Sequence, residues 1–131
     1  INTPEGLVAP VIRDANKKTV QEISSTIRQL TEKTMQKKLD LQDLLGGTFT
    51  ISNLGPYGVG IFAPVINPPQ SAIMGIGTTE KRPIIINENV VLKHMATLSL
   101  VFDHRVVDGV PAAEFLQEVK RLLEAPHTLP A

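Results

Sequence analysis

The sequence predicts an α/β or α+β layer fold in which strands alternate with two amphipathic helices that cover a sheet. Three observations support this class: an apolar repeat of helical period after Thr19, a second such repeat after Pro111, and β-branched runs between them. With 131 residues the chain is one domain at most. Its net charge is +0, so we expect no general attraction to nucleic acid or to an anionic membrane.

The composition also excludes several kinds of site. The chain contains no cysteine, which rules out a disulfide framework, a cysteine nucleophile and a thiolate metal site. Proline, glycine or charge interrupts every apolar run before the roughly 20 residues that a membrane span needs, and no signal peptide is recognisable. We therefore expect a soluble, intracellular protein.

The first third of the chain predicts helices. Apolar residues recur at helical spacing from Thr19 to about Leu39, and charged residues occupy the other side. A short helical stretch from Leu41 to Leu45 should end at Gly46-Gly47, because glycine tolerates the positive φ of a helix terminus. Alternating β-branched residues from Thr48 to Ser52 then predict a strand.

The middle of the chain predicts turns and strands. The segment from Gly55 to Gly60 lacks the spacing and the following helix of a phosphate loop, which favours a tight turn instead. Asn67-Pro68-Pro69 predicts a turn before a strand at Ala72 to Ile76. Runs from Pro83 to Ile86 and from Val90 to Leu92 predict a hairpin.

The last third predicts a long strand from Met95 to Phe102 and a second amphipathic helix. Pro111 suits the first turn of that helix, and Pro126 lies past its end. The segment from Asp103 to Gly109 joins strand and helix. It places one histidine and two carboxylates where a proton-transferring site would be expected.

His104 is the strongest candidate for chemistry. At a strand end an imidazole can be held rigidly while it projects into a cleft, and an ordinary imidazole pKa near 6.5 suits a general base. Asp108 could cap the helix or pair with Arg105, and so shape the turn that presents His104. The alternative is a structural histidine beside a surface ion-pair cluster of Asp103, Arg105 and Asp108.

Other catalytic centres are weaker. We expect His94 and His127 to be solvated, and no histidine pair has the spacing of a zinc site. The G-x-S-x-G elbow of serine hydrolases is absent. Ser52 could donate its hydroxyl to an oxyanion, although an ordinary turn residue at a strand end is the competing interpretation.

Separated motifs resemble one known family. The run Asp-His-Arg-Val-Val-Asp-Gly at 103–109 is similar to the signature of the dihydrolipoyl acyltransferases, the core components of 2-oxo acid dehydrogenase complexes. The segments at 2–8, 46–55 and 66–70 are similar to that family as well. The resemblance therefore covers essentially the whole chain.

The resemblance implies an α/β fold of the chloramphenicol-acetyltransferase type, with a mixed sheet covered by helices. The family's catalytic domain is about twice this length, so residues 1–131 are expected to be the C-terminal portion of one such domain, without lipoyl and subunit-binding domains. It also implies trimers with active sites between subunits, assembled into a larger cage. Implied partners are lipoyl domains and the 2-oxo acid dehydrogenase and dihydrolipoamide dehydrogenase components, in a bacterial or archaeal cytoplasm or a mitochondrial matrix.

The resemblance implies a mechanism too. His104 would take the proton from the thiol of coenzyme A, whose thiolate would attack the acyl carbonyl of S-acyl-dihydrolipoamide. Ser52 would donate a hydrogen bond to the resulting oxyanion. Asp108 would support the loop, since some family members carry asparagine there. Coenzyme A is then a substrate, the lipoyl group is carried on a domain outside this chain, and no metal is implied.

Two hypotheses from different classes follow. The first is an acyltransferase, with acetyl favoured over branched-chain acyl and succinyl groups, in which His104 of one subunit meets Ser52 of its neighbour. The second is a non-catalytic core module that supplies trimer and cage contacts. The apolar tail Leu129-Pro130-Ala131 would suit such contacts, although termini more commonly fray. The presence of His104 favours an enzyme, while the isolated fragment could be inactive.

Overall fold

The computed structural model describes residues 1–129, which form two compact units. The first unit comprises residues 1–47 and 117–129, and the second comprises residues 48–116. In the first unit, strand β1 (Asn2–Thr3) pairs antiparallel with strand β2 (Gly6–Leu7). Helices α1 (Val20–Met35) and α2 (Leu41–Leu44) follow. Pro130 and Ala131, and with them part of the predicted apolar tail, lie outside the described residues.

Helix α1 begins at a capping box. The Thr19 hydroxyl accepts the backbone N–H of Glu22 at 3.2 Å, and the Glu22 carboxylate accepts the backbone N–H of Thr19 at 2.7 Å. The second bond lowers the pKa of Glu22. The predicted end near Leu39 is wrong, since the helix stops at Met35. Lys37 takes a left-handed φ of 55°, and the N–H of Lys38 reaches back to the Lys33 carbonyl at 2.8 Å, which closes the last turn.

Helix α2 confirms the short helical stretch predicted after Leu41. Asp40 and Asp43 form its capping box. The Lys33 ammonium donates to both Asp43 oxygens, at 3.0 and 3.3 Å, which lowers the pKa of Asp43 and raises that of Lys33. Gly46 has a φ of 81°, as expected for a glycine that ends this segment.

The second unit contains a mixed sheet and a hairpin. Its strands are β3 (Thr50–Asn53), β4 (Ala72–Ile76), β5 (Glu80–Ile86), β6 (Asn89–Met95) and β7 (Leu98–Phe102). The sheet has the order β3-β4-β7, with β3 parallel and β7 antiparallel to β4. Strands β5 and β6 form the predicted hairpin, which turns at Asn87 and Glu88 with φ values of 49° and 63°.

The predicted long strand from Met95 to Phe102 is wrong, because two strands occupy that range. Met95 pairs with Glu80 in the hairpin, whereas Leu98 pairs with Ile76 in the mixed sheet. Between them the chain crosses from one ladder to the other, and the Thr97 carbonyl accepts the N–H of Gly77 at 2.9 Å. Apolar residues that are continuous along the sequence therefore serve two sheets.

The buried part of the second unit centres on β4. Ile73 and Met74 are buried, and the Phe62 ring and Pro64 lie over Gly75. A side chain on Gly75 would approach these two residues to 3.0 and 3.1 Å, so glycine leaves the room that they need.

Helix α3 (Gly109–Glu124) begins in the second unit, and Pro111 lies in its first turn as predicted. Its Ala112 is buried, and its Phe115 ring lies 5.8 Å from the ring of Phe49. Among residues 1–129, no helix combines the length and the apolar character needed to span a bilayer.

Candidate active site

The turn from Asp103 to Asp108 connects β7 to α3 and carries His104. The backbone N–H of Asp103 donates to the Ser71 carbonyl at 2.8 Å, which anchors the start of the turn to the residue before β4. The carbonyl of Asp103 then accepts the N–H groups of Val106 and Val107, at 2.9 and 3.1 Å. Both ends of the turn are thus fixed by backbone hydrogen bonds, with His104 between them.

The imidazole of His104 is largely exposed to solvent in this chain. Its side chain is 72% exposed, and its ring lies 5.7 Å from the Phe102 ring at an interplanar angle of 40°. Its Nδ1 is 3.6 Å from Oδ1 of Asp108, which is 83% exposed. This distance exceeds that of a hydrogen bond but lets the carboxylate attract a protonated imidazole. Asp108 thus lies beside His104, in the turn that presents it.

Arg105 does not pair with Asp108, so that predicted pairing is wrong. The Arg105 guanidinium instead binds the Asp103 carboxylate two residues earlier, with Nη2 to Oδ2 at 2.6 Å and Nε to Oδ1 at 3.0 Å. The backbone N–H of Arg105 also donates to Oδ1 of Asp103 at 3.0 Å. These bonds from Arg105 hold the pKa of Asp103 down at about 2, so the carboxylate is ionised at neutral pH.

Ser52 is the third residue of β3 and is half-buried. It lies opposite Gly75 of β4, which in turn lies opposite Ser99 of β7. Residues opposite one another across a sheet point to the same face. The Ser52 side chain therefore shares the face on which Phe62 and Pro64 cover Gly75.

Within one chain, Ser52 and His104 lie at opposite ends of the mixed sheet. Ser52 is level with Ser99, near the start of β7, whereas His104 follows the end of that strand. Two strand spacings separate Ser52 from Ser99 by about 10 Å, and the three residues from Ser99 to Phe102 add about 10 Å along the strand. The Cα atoms of Ser52 and His104 are thus about 14 Å or more apart. The structure brings Asp108 to His104, but not Ser52.

The loop after β3 confirms the tight turn predicted between Gly55 and Gly60. Residues Gly55–Tyr57 form one turn of 3-10 helix, and the Asn53 side-chain oxygen accepts the N–H of Gly55 at 2.9 Å. A polar cavity of about 310 Å³ opens beside it. Its lining comprises Asn53, Gly55, Pro56, Ile76, Gly77, Thr78 and Thr79. The cavity therefore lies at the end of the sheet that carries Ser52.

The other two histidines are exposed, as expected. His94 lies on β6 opposite Lys81, and His127 follows α3. Across residues 1–129 no cluster of three or more histidine, aspartate or glutamate side chains could hold a metal ion. Sequence reasoning missed the contact of His104 with Phe102, and it named the pairing of Arg105 with Asp103 only as part of the alternative, a surface ion-pair cluster. The two-residue spacing of Asp103 and Arg105 in a turn was the available signal for the latter.

Residues 1–131 match the family model of the 2-oxoacid dehydrogenases acyltransferase (catalytic domain). The chain belongs to this family. It is 46% identical over 129 residues to the dihydrolipoyllysine-residue succinyltransferase component of the 2-oxoglutarate dehydrogenase complex of Haemophilus influenzae, covering 98% of this chain and 32% of that protein. It is also 46% identical over 121 residues to the dihydrolipoyllysine-residue acetyltransferase component of the pyruvate dehydrogenase complex of Rickettsia bellii, covering 92% and 29%. The chain thus spans about a third of these relatives.

Solved structures of the family share the fold. A probable dihydrolipoamide acetyltransferase from Listeria monocytogenes superposes with a TM-score of 0.93 at 37% identity, over 95% of this chain and 53% of that one. The dihydrolipoamide acetyltransferase of Azotobacter vinelandii superposes with a TM-score of 0.90 at 36% identity, over 94% of this chain and 51% of that one. That structure belongs to a study of a serine, a histidine and an asparagine in its catalytic mechanism. The chain therefore has the expected α/β fold of the chloramphenicol-acetyltransferase type.

Proposed function

We propose that this chain supplies two half-sites for acyl transfer between S-acyl-dihydrolipoamide and coenzyme A, in the core of a 2-oxo acid dehydrogenase complex. One half-site is His104 with Asp108, and the other is Ser52 with the loop after β3. The observation that carries the proposal is His104 itself, an exposed imidazole held on an anchored turn beside a carboxylate. A group positioned in this way can accept a proton from a thiol that enters a cleft above it.

The chemistry needs a base and an oxyanion donor. His104 takes the proton of the coenzyme A thiol, and the thiolate attacks the acyl carbonyl to give a tetrahedral oxyanion that accepts a hydrogen bond from Ser52. The intermediate expels the dihydrolipoamide thiolate, which receives the proton from the His104 imidazolium. A positioned base raises the reaction rate about 100- to 10,000-fold. An oxyanion donor stabilises the transition state by about 3 kcal/mol in related acyl transfers.

The separation of the two half-sites supports an active site shared between subunits. With Cα atoms about 14 Å or more apart, Ser52 and His104 of one chain are not neighbours, so a site that uses both is more simply built from His104 of one subunit and Ser52 of the next. Exposed apolar side chains also flank each half-site: Val106 and Val110 are 63% and 70% exposed, and Ile51 and Ile61 are 60% and 72% exposed. Such surfaces favour burial against another subunit, which would also exclude water from the reacting groups. We therefore propose the trimer, built into a larger cage.

The Azotobacter vinelandii protein supports the assignment of residues. The serine, histidine and asparagine that its study names have the same spacing along the sequence as Ser52, His104 and Asp108 have here. Asparagine at the third position agrees with a supporting role for Asp108, because a neutral side chain would serve there as well. A full negative charge at Asp108 is then not required for the transfer.

Acetyl remains our proposal for the acyl group, and succinyl is the second candidate. The succinyl candidate is favoured by relatives that are named succinyltransferases and are as similar as the acetyltransferases. Residues 1–131 are proposed as the C-terminal portion of the catalytic domain, and lipoyl domains and the two dehydrogenase components as its partners. Location in a bacterial or archaeal cytoplasm or in a mitochondrial matrix stays a prediction.

The test is acyl transfer by the full-length protein and by its His104→Ala variant, with acetyl-, isobutyryl- and succinyl-coenzyme A as donors. His94→Ala is a matched control, because it removes an exposed histidine from the hairpin. We expect His104→Ala to lose at least about 100-fold in kcat and His94→Ala to lose nothing. The preferred donor identifies the acyl group. A folded His104→Ala variant with normal activity would mean that His104 is structural and would refute the mechanism, whereas a folded wild-type protein with no transfer activity would leave the non-catalytic core module.

A further inference from the structure

The Asp103–Arg105 pair encloses His104 in the sequence. We propose that this pair positions the catalytic turn, so that Asp103 and Arg105 act on the reaction through His104. The inference rests on the proposed function, because it concerns the direction in which the base points. It assigns to the two residues on either side of His104 a role other than surface charge.

The geometry shows which member of the pair is fixed. Asp103 is 23% exposed and is tied to the sheet through its N–H bond to Ser71 and to the turn through its carbonyl. Arg105 is 89% exposed, and its guanidinium reaches back to Asp103 with two nitrogens. Asp103 is thus the anchor, and Arg105 is the group that it holds.

The hydrogen bonds converge on one short stretch of backbone. The Asp103 carboxylate accepts the backbone N–H of Arg105 as well as its guanidinium. The hydrogen bonds between the Asp103 and Arg105 side chains therefore bridge the two peptide units that flank the Cα of His104, in addition to the backbone hydrogen bonds of the turn. Such a closure restricts the φ and ψ of His104, which set the direction of its Cα–Cβ bond. Ring contact with Phe102 limits the remaining freedom on one side.

The bidentate hydrogen bonding makes the pair specific to arginine. A guanidinium offers Nε and Nη2 in a fixed plane that matches the two carboxylate oxygens, whereas an ammonium is a point charge. The hairpin provides a comparison, since Glu80 and Arg82 have the same two-residue spacing but share a single contact at 3.2 Å. That second pair lies on a strand and spans no candidate catalytic residue.

The test compares Asp103→Asn, Arg105→Gln, Arg105→Lys and the Asp103→Asn/Arg105→Gln double variant in the full-length protein. Arg82→Gln serves as the matched control. Displacing a catalytic base by about 1 Å lowers the reaction rate on the order of 100-fold. We therefore expect each single variant to lower kcat about 10- to 100-fold, while the KM values for both substrates stay unchanged. The double variant should be no slower than the slower single variant, since the two residues act as one unit. Arg105→Lys should retain more activity than Arg105→Gln.

Several outcomes would overturn the inference. Wild-type kcat in the folded Asp103→Asn and Arg105→Gln variants would show that the pair does not position the base. Losses that multiply in the double variant would show independent roles. A raised KM for coenzyme A with unchanged kcat in Arg105→Gln would mean that Arg105 binds substrate. In each case a large loss in a parallel His104→Ala assay leaves the proposed function standing, whereas full activity of His104→Ala refutes that function itself.

Discussion

Mixed trimers provide a direct test of whether His104 and Ser52 act across a subunit boundary. The perturbation is the co-assembly of two inactive full-length variants, His104→Ala and Ser52→Ala. In one chain the two residues lie at opposite ends of the β3-β4-β7 sheet, about 14 Å or more apart. If each site takes its base from one subunit and its oxyanion donor from the next, a neighbouring pair of unlike variants can rebuild one intact site.

The magnitude follows from random mixing. In an equal mixture, about one in four sites of a cyclic trimer would combine an intact histidine with an intact serine. Each variant alone should retain about 1% of kcat or less, from the general-base and oxyanion contributions. The mixture should therefore recover about a quarter of the wild-type kcat, far above the mean of its two components. The assay is acyl transfer from acyl-coenzyme A to dihydrolipoamide after co-expression or subunit exchange.

A second mixture controls for assembly and has a different expectation. When wild-type protein is mixed equally with the His104→Ala/Ser52→Ala double variant, a shared site predicts about a quarter of full activity, whereas a site within one chain predicts about half. Recovery of no activity in the first mixture, together with half activity in the second, would refute the shared site. Mass measurement of the mixed trimers confirms that exchange has occurred.

Three further predictions concern the fold and the catalytic turn. Thr19→Ala removes half of the capping box of α1 and should lower the free energy of unfolding by about 1 kcal/mol in chemical denaturation. Gly77→Ala would place a methyl group against the carbonyl of Gly60, so it should lower the free energy of unfolding by about 1–3 kcal/mol in the same denaturation assay. Gly60→Ala should be tolerated, because its methyl group would point into open space. The pKa of Asp103 falls from 3.8 to about 2 on folding, so its pair stabilises the protein above about pH 4 and this contribution is lost as the pH falls through 2. The difference in stability between wild type and Asp103→Asn should therefore be constant from pH 5 to 8 and shrink towards pH 2; a constant difference down to pH 2 would contradict the role of that ion pair.

Local signals in the sequence identified most of the elements. The apolar repeat after Thr19 placed the start of α1, where the structure shows the Thr19–Glu22 capping box, and Pro111 placed the start of α3. The end of α1 was not predictable in the same way. Lys37 adopts a left-handed conformation that sequence patterns reserve for glycine or asparagine.

Strand order limited what could be predicted about the site. The four-residue spacing of His104 and Asp108 made their contact foreseeable, since it involves only the turn between β7 and α3. The position of Ser52 relative to His104 depends on β3 running parallel and β7 antiparallel to β4, which no local pattern encodes. The break after Met95 was missed for the same reason, because apolar residues on both sides of it are typical of strands and only the pairing differs.

The small buried core affects how the stability of this chain should be measured. Within residues 1–129 the buried core comprises Leu30, Ile73, Met74 and Ala112, which are 5–8% exposed, while many large apolar side chains remain in contact with solvent. Burial of apolar surface is the main favourable term in folding, so much of that term is still available to contacts with the rest of the proposed catalytic domain or with other copies. The midpoint of denaturation should then rise with protein concentration. If the proposed trimer forms, dilution alone should shift the equilibrium from assembled, folded subunits towards unfolded chains.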